Sequence, residues 1–172
     1  MFVIVMGCGR VGARVASHLA RNGHEVLVLD ISSNAFNRLD PDFAGQTVHG
    51  NGIDMDVLRR TGIERADAFV ACTQGDNRNI MASQIALHIF SVPKVVTRIY
   101  DPLRENTFTA LGLETVSPTV IGADRFIEII DPGSLSHRAD EAQALARAVG
   151  GLGALGASSP ATLESSTSEK AE

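Results

Sequence analysis

Short apolar runs alternate with stretches of helical periodicity six times between residue 2 and residue 130. The first run, Phe2–Met6, is continuously apolar, which is typical of a strand buried on both faces. It is followed by a helical stretch over residues 12–22 and then by the second run, EVLVLD, at residues 25–30. Repeated strand–helix alternation predicts right-handed βαβ units and a parallel sheet. The predicted fold class is therefore α/β, a doubly wound parallel sheet of Rossmann-like type with three layers, α/β/α.

The later segments continue the alternation. Further strands are predicted over QTVHG, DAFVACT, KVVTRIY and ETVSP, and further helices over residues 32–39, 54–61, 77–90, 103–111 and 119–130. In the helix 77–90, Met81, Ile85 and Ile89 recur at i, i+4 and i+8. These elements predict a single nucleotide-binding domain over residues 1–132. Residues 133–172 are rich in Ala, Gly and Ser, and we expect a short helix followed by a disordered tail there.

Composition excludes several classes of function. The net charge of −5 argues against a nucleic-acid partner, since such proteins carry a basic patch or stripe. No apolar run approaches the roughly 18 residues of a membrane span, and no signal peptide precedes Phe2, so we expect a cytoplasmic protein without direct membrane insertion. The two cysteines make no disulfide framework, and no Cys/His cluster has metal-ligand spacing, so no metal is predicted.

The most informative motif is the loop that follows the first strand. Residues 7–12, GCGRVG, form a GxGxxG pattern between a buried strand and a helix, which is the context that makes this motif indicate a dinucleotide. Gly7 permits the tight turn, Gly9 lets backbone N–H groups approach a pyrophosphate, and Gly12 packs the helix on the sheet. The helix N-terminus adds unpaired donors and a partial positive charge. The alternative is a glycine-rich turn without a ligand.

An acid at the end of the second strand is the second requirement for a nucleotide site. Asp30 closes EVLVLD, where its carboxylate can accept both hydroxyls of an adenosine ribose. A carboxylate there disfavours the 2′-phosphate of NADP, but it does not separate NAD(H) from ATP or ADP. The alternative role for Asp30 is to cap the following helix.

Other candidates follow the remaining strands, because ligands of such sheets bind outside the carboxyl ends of the strands. Asn51 follows the third strand, Thr73 and Gln74 end the fourth, and Arg98 lies on the fifth. Arg10, within the loop, is a second cation for a phosphate. Either arginine has the alternative of a solvated or internally paired guanidinium.

Residues 1–130 resemble the N-terminal lobe of the RCK family, also called TrkA-N or KTN. The matching stretches are VIVMGCGRVG, EVLVLD, GNGIDMDVLRRTGIERADAFVACTQGDNRNIMASQIA, VVTRIYD and LGLETVSP. The resemblance implies a cytosolic regulatory subunit that senses NAD(H) or ATP/ADP and gates a potassium uptake system or channel. It implies ligand contacts at these residues: Gly7, Cys8, Gly9, Arg10, Val11, Asp30, Asn51, Thr73, Gln74 and Arg98.

The resemblance also implies partners, namely a second copy of the chain and an integral-membrane potassium transporter or channel subunit, which would place the protein at the inner face of the membrane. Two departures from the family are visible. Asn51 stands where the family usually has an acid, and the low-complexity tail stands where the family continues into a second, smaller lobe.

An NAD-dependent oxidoreductase is the rival function on this fold. The chain has one tyrosine and two lysines, Tyr100, Lys94 and Lys170, and no Tyr–Lys pair at helical spacing. A sensor without catalysis is therefore expected, and a purely structural module is the third option. Cys8 and Cys72 are predicted to lie close together, either as small buried hydrophobes or across the crevice.

The last predicted helix, TVIGADRFIEII, is apolar on more than one face. Val120, Ala123, Ile127 and Ile130 share one face, which we expect the sheet to cover. Gly122, Phe126 and Ile129 share another, for which a second copy of the chain is the expected cover, giving a homodimer or higher oligomer.

Overall fold

A computed structural model of the chain describes residues 1–102, 108 and 112–133. Its strands are β1 Phe2–Met6, β2 Glu25–Asp30, β3 Gln46–His49, β4 Ala68–Ala71, β5 Lys94–Arg98 and β6 Glu114–Val116. Its α-helices are α1 Arg10–Arg21, α2 Met55–Arg60, α3 Asp76–Gln84 and α4 Pro118–Ile130. Two 3₁₀ helices cover Ser33–Arg38 and Ile63–Arg65, and a π-helical turn covers Ile85–Ile89.

The six strands form one sheet in the order β3-β2-β1-β4-β5-β6, and every neighbouring pair is parallel. After β1, the chain adds β2 and then β3 on one side of the sheet. It then crosses back and adds β4, β5 and β6 on the other side of β1. The strand order therefore reverses between β1 and β4, which is where such sheets open a crevice at their carboxyl edge. The predicted doubly wound, Rossmann-like α/β fold is confirmed.

The apolar runs predicted to be strands are buried on both faces. Successive side chains of β1 point to opposite sides of the sheet, so Ile4 and Val5, both fully buried, enter two different cores. The core that contains Ile4 also holds Leu58, Phe69 and Ile85, while the core that contains Val5 holds residues of α1. Helices thus cover both faces, which gives the expected three layers.

Helix α3 differs from its prediction in the face that it buries. Met81 and Ile89, expected to share an apolar face with Ile85, are 53% and 55% exposed. The α-helix ends at Gln84 and continues as a π turn, in which Phe90 N–H donates to the carbonyl of Ile85 five residues earlier. The wider turn rotates the following side chains, so the spacing of 3.6 does not hold along the segment. Small residues face the sheet instead: Asn79, Ala82, Ser83 and Ala86, all fully buried.

Other differences are confined to the ends and types of elements. The fourth strand ends at Ala71 rather than at residue 73, which leaves Cys72 and Thr73 in the loop at the carboxyl edge. The helix predicted over 32–39 is a 3₁₀ helix, Ser33–Arg38. The helix predicted over 103–111 lies largely outside the described residues, and so do the short helix and disordered tail predicted after residue 133.

The compact unit that carries the sheet ends at Ala123, and a second unit begins at Asp124, of which the structure describes residues 124–133. Helix α4 has no buried residue. Ile127 and Ile130, for which the sequence predicted a cover from the sheet, belong to the second unit and are 36% and 81% exposed. Phe126 and Ile129, on the other face, are 70% and 64% exposed. The helix therefore presents apolar side chains to solvent on both faces.

Candidate functional site

A cavity of about 770 Å³ opens at the carboxyl edge of the sheet, where the strand order reverses. Its volume lies within the range of roughly 300–1,000 Å³ that small-molecule and cofactor sites occupy. The wall comes from the loops after β1, β2, β3, β4 and β5. Nine of the ten residues predicted from the sequence line it: Gly7, Cys8, Gly9, Arg10, Val11, Asp30, Thr73, Gln74 and Arg98.

Two glycines of the loop are required by packing within the chain. Gly7 adopts φ +102°, and a Cβ there would lie 2.9 Å from the backbone nitrogen of Thr73. A Cβ on Gly12 would collide with the carbonyl oxygen of Gly7 and would lie 2.8 Å from the Cys72 sulfur. Gly12 therefore lets α1 approach the sheet, as predicted.

For Gly9, neither the backbone conformation nor a contact with the described residues requires glycine. Its φ of −78° suits any residue. A Cβ built on it meets no atom of the described residues within 4 Å and would project into open space. The missing side chain leaves backbone at the cavity wall that another molecule can approach closely.

The N-terminus of α1 begins at the same point. Gly9 is the N-cap residue, and it offers no side chain to the orphaned N–H groups of the first turn. The first turn contains no acidic residue that would satisfy the helix dipole. Arg10 and Val11, the first helical residues, are exposed and line the cavity. Free backbone donors at the positive end of a helix dipole suit an anionic ligand such as a phosphate.

Asp30 joins the glycine loop to the end of β2. Its Oδ2 accepts a hydrogen bond from the backbone N–H of Cys8 at 2.6 Å, and its Oδ1 accepts one from that of Ser32 at 2.8 Å. The bond from Ser32 stabilises the turn before the 3₁₀ helix, but the N-cap of that helix is Ser32 and Asp30 accepts from no N–H group of the helix itself, Ser33–Arg38. A carboxylate has about four lone-pair sites, so both oxygens can still accept from ribose hydroxyls.

On the other side of the cavity, Thr73 follows β4 and Arg98 ends β5. The Thr73 hydroxyl donates to Oδ1 of Asn79 at 2.6 Å. The Nε of Arg98 is buried and has no hydrogen-bond partner among the described residues, while its guanidinium carbon lies 5.5 Å from the centroid of the Tyr100 ring. Burying the Nε–H of Arg98 without an acceptor costs free energy, and an anion in the cavity would supply that acceptor.

Asn51 is the predicted residue that the structure does not bring to the cavity wall. Its Oδ1 accepts from the backbone N–H of Ile53 at 3.3 Å, within its own loop. Its neighbours Gly50 and Gly52 line the cavity instead. The loop after β3 therefore reaches the cavity, but the Asn51 side chain hydrogen-bonds within the loop and does not line the cavity.

Sequence reasoning missed several further lining residues, among them Arg38, Arg78 and Tyr100. With them, the titratable side chains of the wall include four arginines, the other two being Arg10 and Arg98, and one carboxylate, Asp30. The cavity is thus cationic on a chain whose net charge is −5. Arg78 could have been found because it lies in the first turn of the helix that follows β4.

The two cysteines meet at the cavity but are not reactive groups. Burial raises the pKa of the Cys8 thiol to about 11, with a further rise from the Asp30 carboxylate. Burial raises the pKa of the Cys72 thiol to about 12, although Arg98 opposes the rise. The Cys72 S–H donates to the carbonyl of Gly7 at 3.5 Å. Both thiols stay protonated near neutral pH, which fits small packing residues rather than nucleophiles.

Comparison with known proteins identifies the family. Residues 3–118, more than half of the chain, match the TrkA-N domain. The chain belongs to the TrkA-N domain family. This TrkA-N chain is 43% identical over 132 residues to the Trk system potassium uptake protein TrkA of Streptomyces coelicolor, an alignment that covers 77% of the chain and 59% of the relative. The chain thus spans less than two thirds of that relative's length. The resemblance read from the sequence is confirmed.

Solved structures agree with the TrkA-N fold. The Shewanella denitrificans Kef CTD in its AMP-bound form matches with a TM-score of 0.66 and 21% identity, over 90% of this chain and 99% of that one. The GsuK channel bound to NAD matches with a TM-score of 0.63 and 23% identity, over 76% of this chain and 23% of that one. At such identities the likeness concerns the fold.

Two features are absent from the described residues of the TrkA-N chain. Within the described part of the chain, no helix is both long enough and apolar enough to span a bilayer. Within the same residues, no three His, Cys, Asp or Glu side chains come together as a metal ion would need.

Proposed function

We propose that this TrkA-N chain binds an adenine nucleotide, NAD(H) or ATP/ADP, as a sensor and thereby regulates a potassium uptake system or channel. The observation that carries the proposal is Gly9. Its backbone lies open beside the free N–H groups of α1, and no packing requirement of the described residues explains the glycine. A pyrophosphate held against the backbone would explain it.

The rest of the cavity fits the other parts of such a ligand. Asp30 would accept the ribose hydroxyls, which disfavours NADP because a 2′-phosphate would meet a carboxylate. Arg10, Arg78 and Arg98 would surround the phosphates, and Arg98 would then satisfy its buried Nε. Two structures with this fold are named as bound to AMP and to NAD, ligands that share the adenosine monophosphate unit.

Regulation without catalysis is favoured over an oxidoreductase. Lys94 lies at the amino end of β5, where its Nζ is 3.9 Å from a carboxylate oxygen of Glu114, and so cannot pair with Tyr100 at the carboxyl edge. The lining thiols have raised pKa values and so stay protonated near neutral pH. The described lining residues include no histidine and no lysine to act as a general acid or base.

The partners are proposed from the family and from helix α4. The Streptomyces relative is named for a potassium uptake system. A membrane transporter or channel subunit is therefore the proposed partner, with this chain on its cytoplasmic side. The exposed apolar faces of α4 favour a second copy of the chain as their cover, giving a homodimer or higher oligomer.

Calorimetric titration of the purified chain with ADP, ATP, NAD, NADH and NADP tests the proposal. Saturable binding of at least one of the first four, with NADP weaker than NAD, is the expected result. Incubation of the NADH complex with a panel of carbonyl compounds should produce no hydride transfer. Absence of binding by all five nucleotides would refute the sensor, and steady turnover would favour the oxidoreductase.

A further inference from the structure

The side chain of Asn79 is a polar group in the buried interface between α3 and the sheet. It is fully buried, and its neighbours on the same face, Ala82 and Ser83, are small. Its Oδ1 accepts from the backbone N–H of Thr73 at 2.9 Å and from the Thr73 hydroxyl at 2.6 Å. Its Nδ2 donates to the carbonyl of Thr73 at 3.1 Å and to the carbonyl of Arg98 at 3.0 Å. Every hydrogen-bonding atom of the carboxamide is therefore used.

These four bonds join the carboxyl ends of two neighbouring strands, β4 and β5. Thr73 follows β4 and Arg98 ends β5, and both line the cavity, whereas Asn79 does not. The last paired residues of the two strands, Ala71 and Thr97, lie just before them, so the sheet's own hydrogen bonds stop short of this level. The Asn79 carboxamide thus links the two chain segments just beyond the last β4–β5 backbone pair.

Only a carboxamide of this length supplies both the acceptor for the Thr73 N–H and hydroxyl and the donor for the carbonyls of Thr73 and Arg98. A carboxylate would keep the acceptor for Thr73 but would place negative charge against two carbonyl oxygens in a buried site. A hydroxyl on a shorter side chain cannot reach both strand ends. The residue type is thus explained by what it joins.

The same end of α3 holds the segment after β5 through a second residue. The Asp76 carboxylate accepts from the backbone N–H of Tyr100 at 2.7 Å and from that of Asp101 at 3.0 Å. The Arg98 guanidinium lies near the Tyr100 ring. Two residues of α3 therefore hold the backbone at Arg98 and just after it, Asn79 at the Arg98 carbonyl and Asp76 at the N–H of Tyr100.

We propose that Asn79 is a positioning residue of the nucleotide site, which sets the separation of Thr73 and Arg98 and thereby the place where the phosphates are held. The inference rests on the proposed nucleotide function. Under this inference, Asn79 lies outside the cavity wall but contributes to the affinity for the phosphate end of the ligand. It contributes nothing to the affinity for the adenosine end, which lies on the β2 side with Asp30.

A matched control exists on the same helix and strand. Ser83 accepts a hydrogen bond from the Thr97 hydroxyl at 2.7 Å, fully buried between α3 and β5. Neither residue lines the cavity. Ser83→Ala removes a buried α3–β5 bond, as Asn79→Ala does, without touching the strand ends that face the ligand.

The experiment compares adenosine with ADP on the folded proteins. In Asn79→Ala the affinity for ADP should fall about tenfold while that for adenosine changes less than about twofold, since the loss of ordered phosphate contacts is confined to one end. Ser83→Ala should lower the melting temperature yet keep the wild-type ratio of the two affinities. Asn79→Ser, which retains a small polar group, is the second variant and should shift the ratio in the same direction.

A double variant separates positioning from stability. If Asn79 acts through Arg98, adding Asn79→Ala to Arg98→Ala should weaken ADP binding by less than it does in the wild type. Full additivity, equal losses for adenosine and ADP, or a ratio in Asn79→Ser that matches that of Ser83→Ala would overturn the inference. Failure of the wild type to bind any nucleotide would instead refute the proposed function, and the inference with it.

Discussion

The backbone N–H of Cys8 donates to the carboxylate of Asp30 at 2.6 Å, so the acid that ends β2 holds the glycine loop that ends β1. Asp30 ends β2, Cys8 lies in the loop after the neighbouring strand β1, and both residues line the cavity. A single carboxylate thus shapes the loop proposed to bind phosphate and is itself proposed to bind ribose. Removing it should affect both roles, and a suitable control can separate them.

Asp30→Ala should weaken NAD and ATP alike by roughly tenfold to a hundredfold, because both ligands would lose charge-assisted bonds from the same ribose hydroxyls. Asp67→Ala is the control. Asp67 accepts a backbone N–H from Phe2 at 2.6 Å but lies at the opposite edge of the sheet. It should cost stability and leave affinity unchanged. Calorimetric titration and thermal melts measure both quantities, and wild-type binding of every nucleotide by Asp30→Ala would contradict the ribose assignment.

Gly9→Ala and Gly12→Ala form a second matched pair. A methyl group on Gly9 enters open space, so the fold should keep its melting temperature while nucleotide affinity falls at least about tenfold. A methyl group on Gly12 meets the Gly7 carbonyl, so overpacking should destabilise the fold by about 1–3 kcal/mol or more. Denaturant unfolding with titration of ADP distinguishes the two. A Gly9→Ala protein that binds ADP as the wild type does would remove the main support for the site.

The features that could be predicted from the sequence are those that short-range pattern determines. Continuous apolar runs at β1 and β2 indicated buried parallel strands, and the glycine spacing with Asp30 indicated the cavity edge. The ends of the predicted fourth and fifth strands supplied Thr73, Gln74 and Arg98. All of these residues line the cavity at the carboxyl edge, although β4 ends at Ala71, two residues earlier than predicted.

The features that could not be predicted depend on contacts between distant residues or on irregular backbone. The π turn after Gln84 breaks the helical period, so Ile89 was assigned to the wrong side. Met81 was misassigned because the buried face of α3 carries Asn79, Ala82 and Ser83 instead of large apolar residues. Arg38 and Arg78 resemble ordinary solvated arginines until the fold brings them to one cavity. The four bonds of Asn79 join strand ends 25 residues apart in sequence, and no local pattern indicates them.

Raised thiol pKa values predict a loss of stability at alkaline pH. The folded protein keeps the Cys8 and Cys72 protons above the ordinary pKa of 9.0, whereas the unfolded chain releases them. The free energy of unfolding should therefore fall as pH rises from 9 toward 11, by about 1.4 kcal/mol per pH unit for each thiol. Urea unfolding across this range, compared with Cys8→Ala/Cys72→Ala, measures the thiol share. Identical slopes in the two proteins would contradict the shifts.

Helix α4 predicts the oligomeric state. Phe126 and Ile129 are largely exposed, so replacing both with Asp should place charge in the proposed interface and give monomers. Asn37→Asp/Gln46→Glu adds the same charge at exposed polar positions and should leave the oligomer intact. Light scattering at micromolar concentration reports the mass. A monomeric wild-type chain would contradict the proposed homo-oligomer.

The arginines of the cavity should decide between nucleotides. Arg10 and Arg98 are proposed to meet the phosphate end, where NAD and ATP differ in charge and length, whereas Asp30 meets the shared ribose. Arg10→Ala and Arg98→Ala should therefore change the ratio of NAD to ATP affinity more than Asp30→Ala does, with ATP losing more because its chain carries more charge.

Arg14→Ala is the control for this comparison, because Arg14 lies one turn further along α1, is exposed and does not line the cavity. It should leave every affinity at the wild-type value. A sensor needs such asymmetry, because a ligand shifts a conformational equilibrium only through its different affinities for the two states. Titration of NAD, NADH, ADP and ATP into the four variants measures the ratios. If Arg10→Ala and Arg98→Ala lower all four affinities equally, the phosphate end is not where this protein distinguishes its ligands.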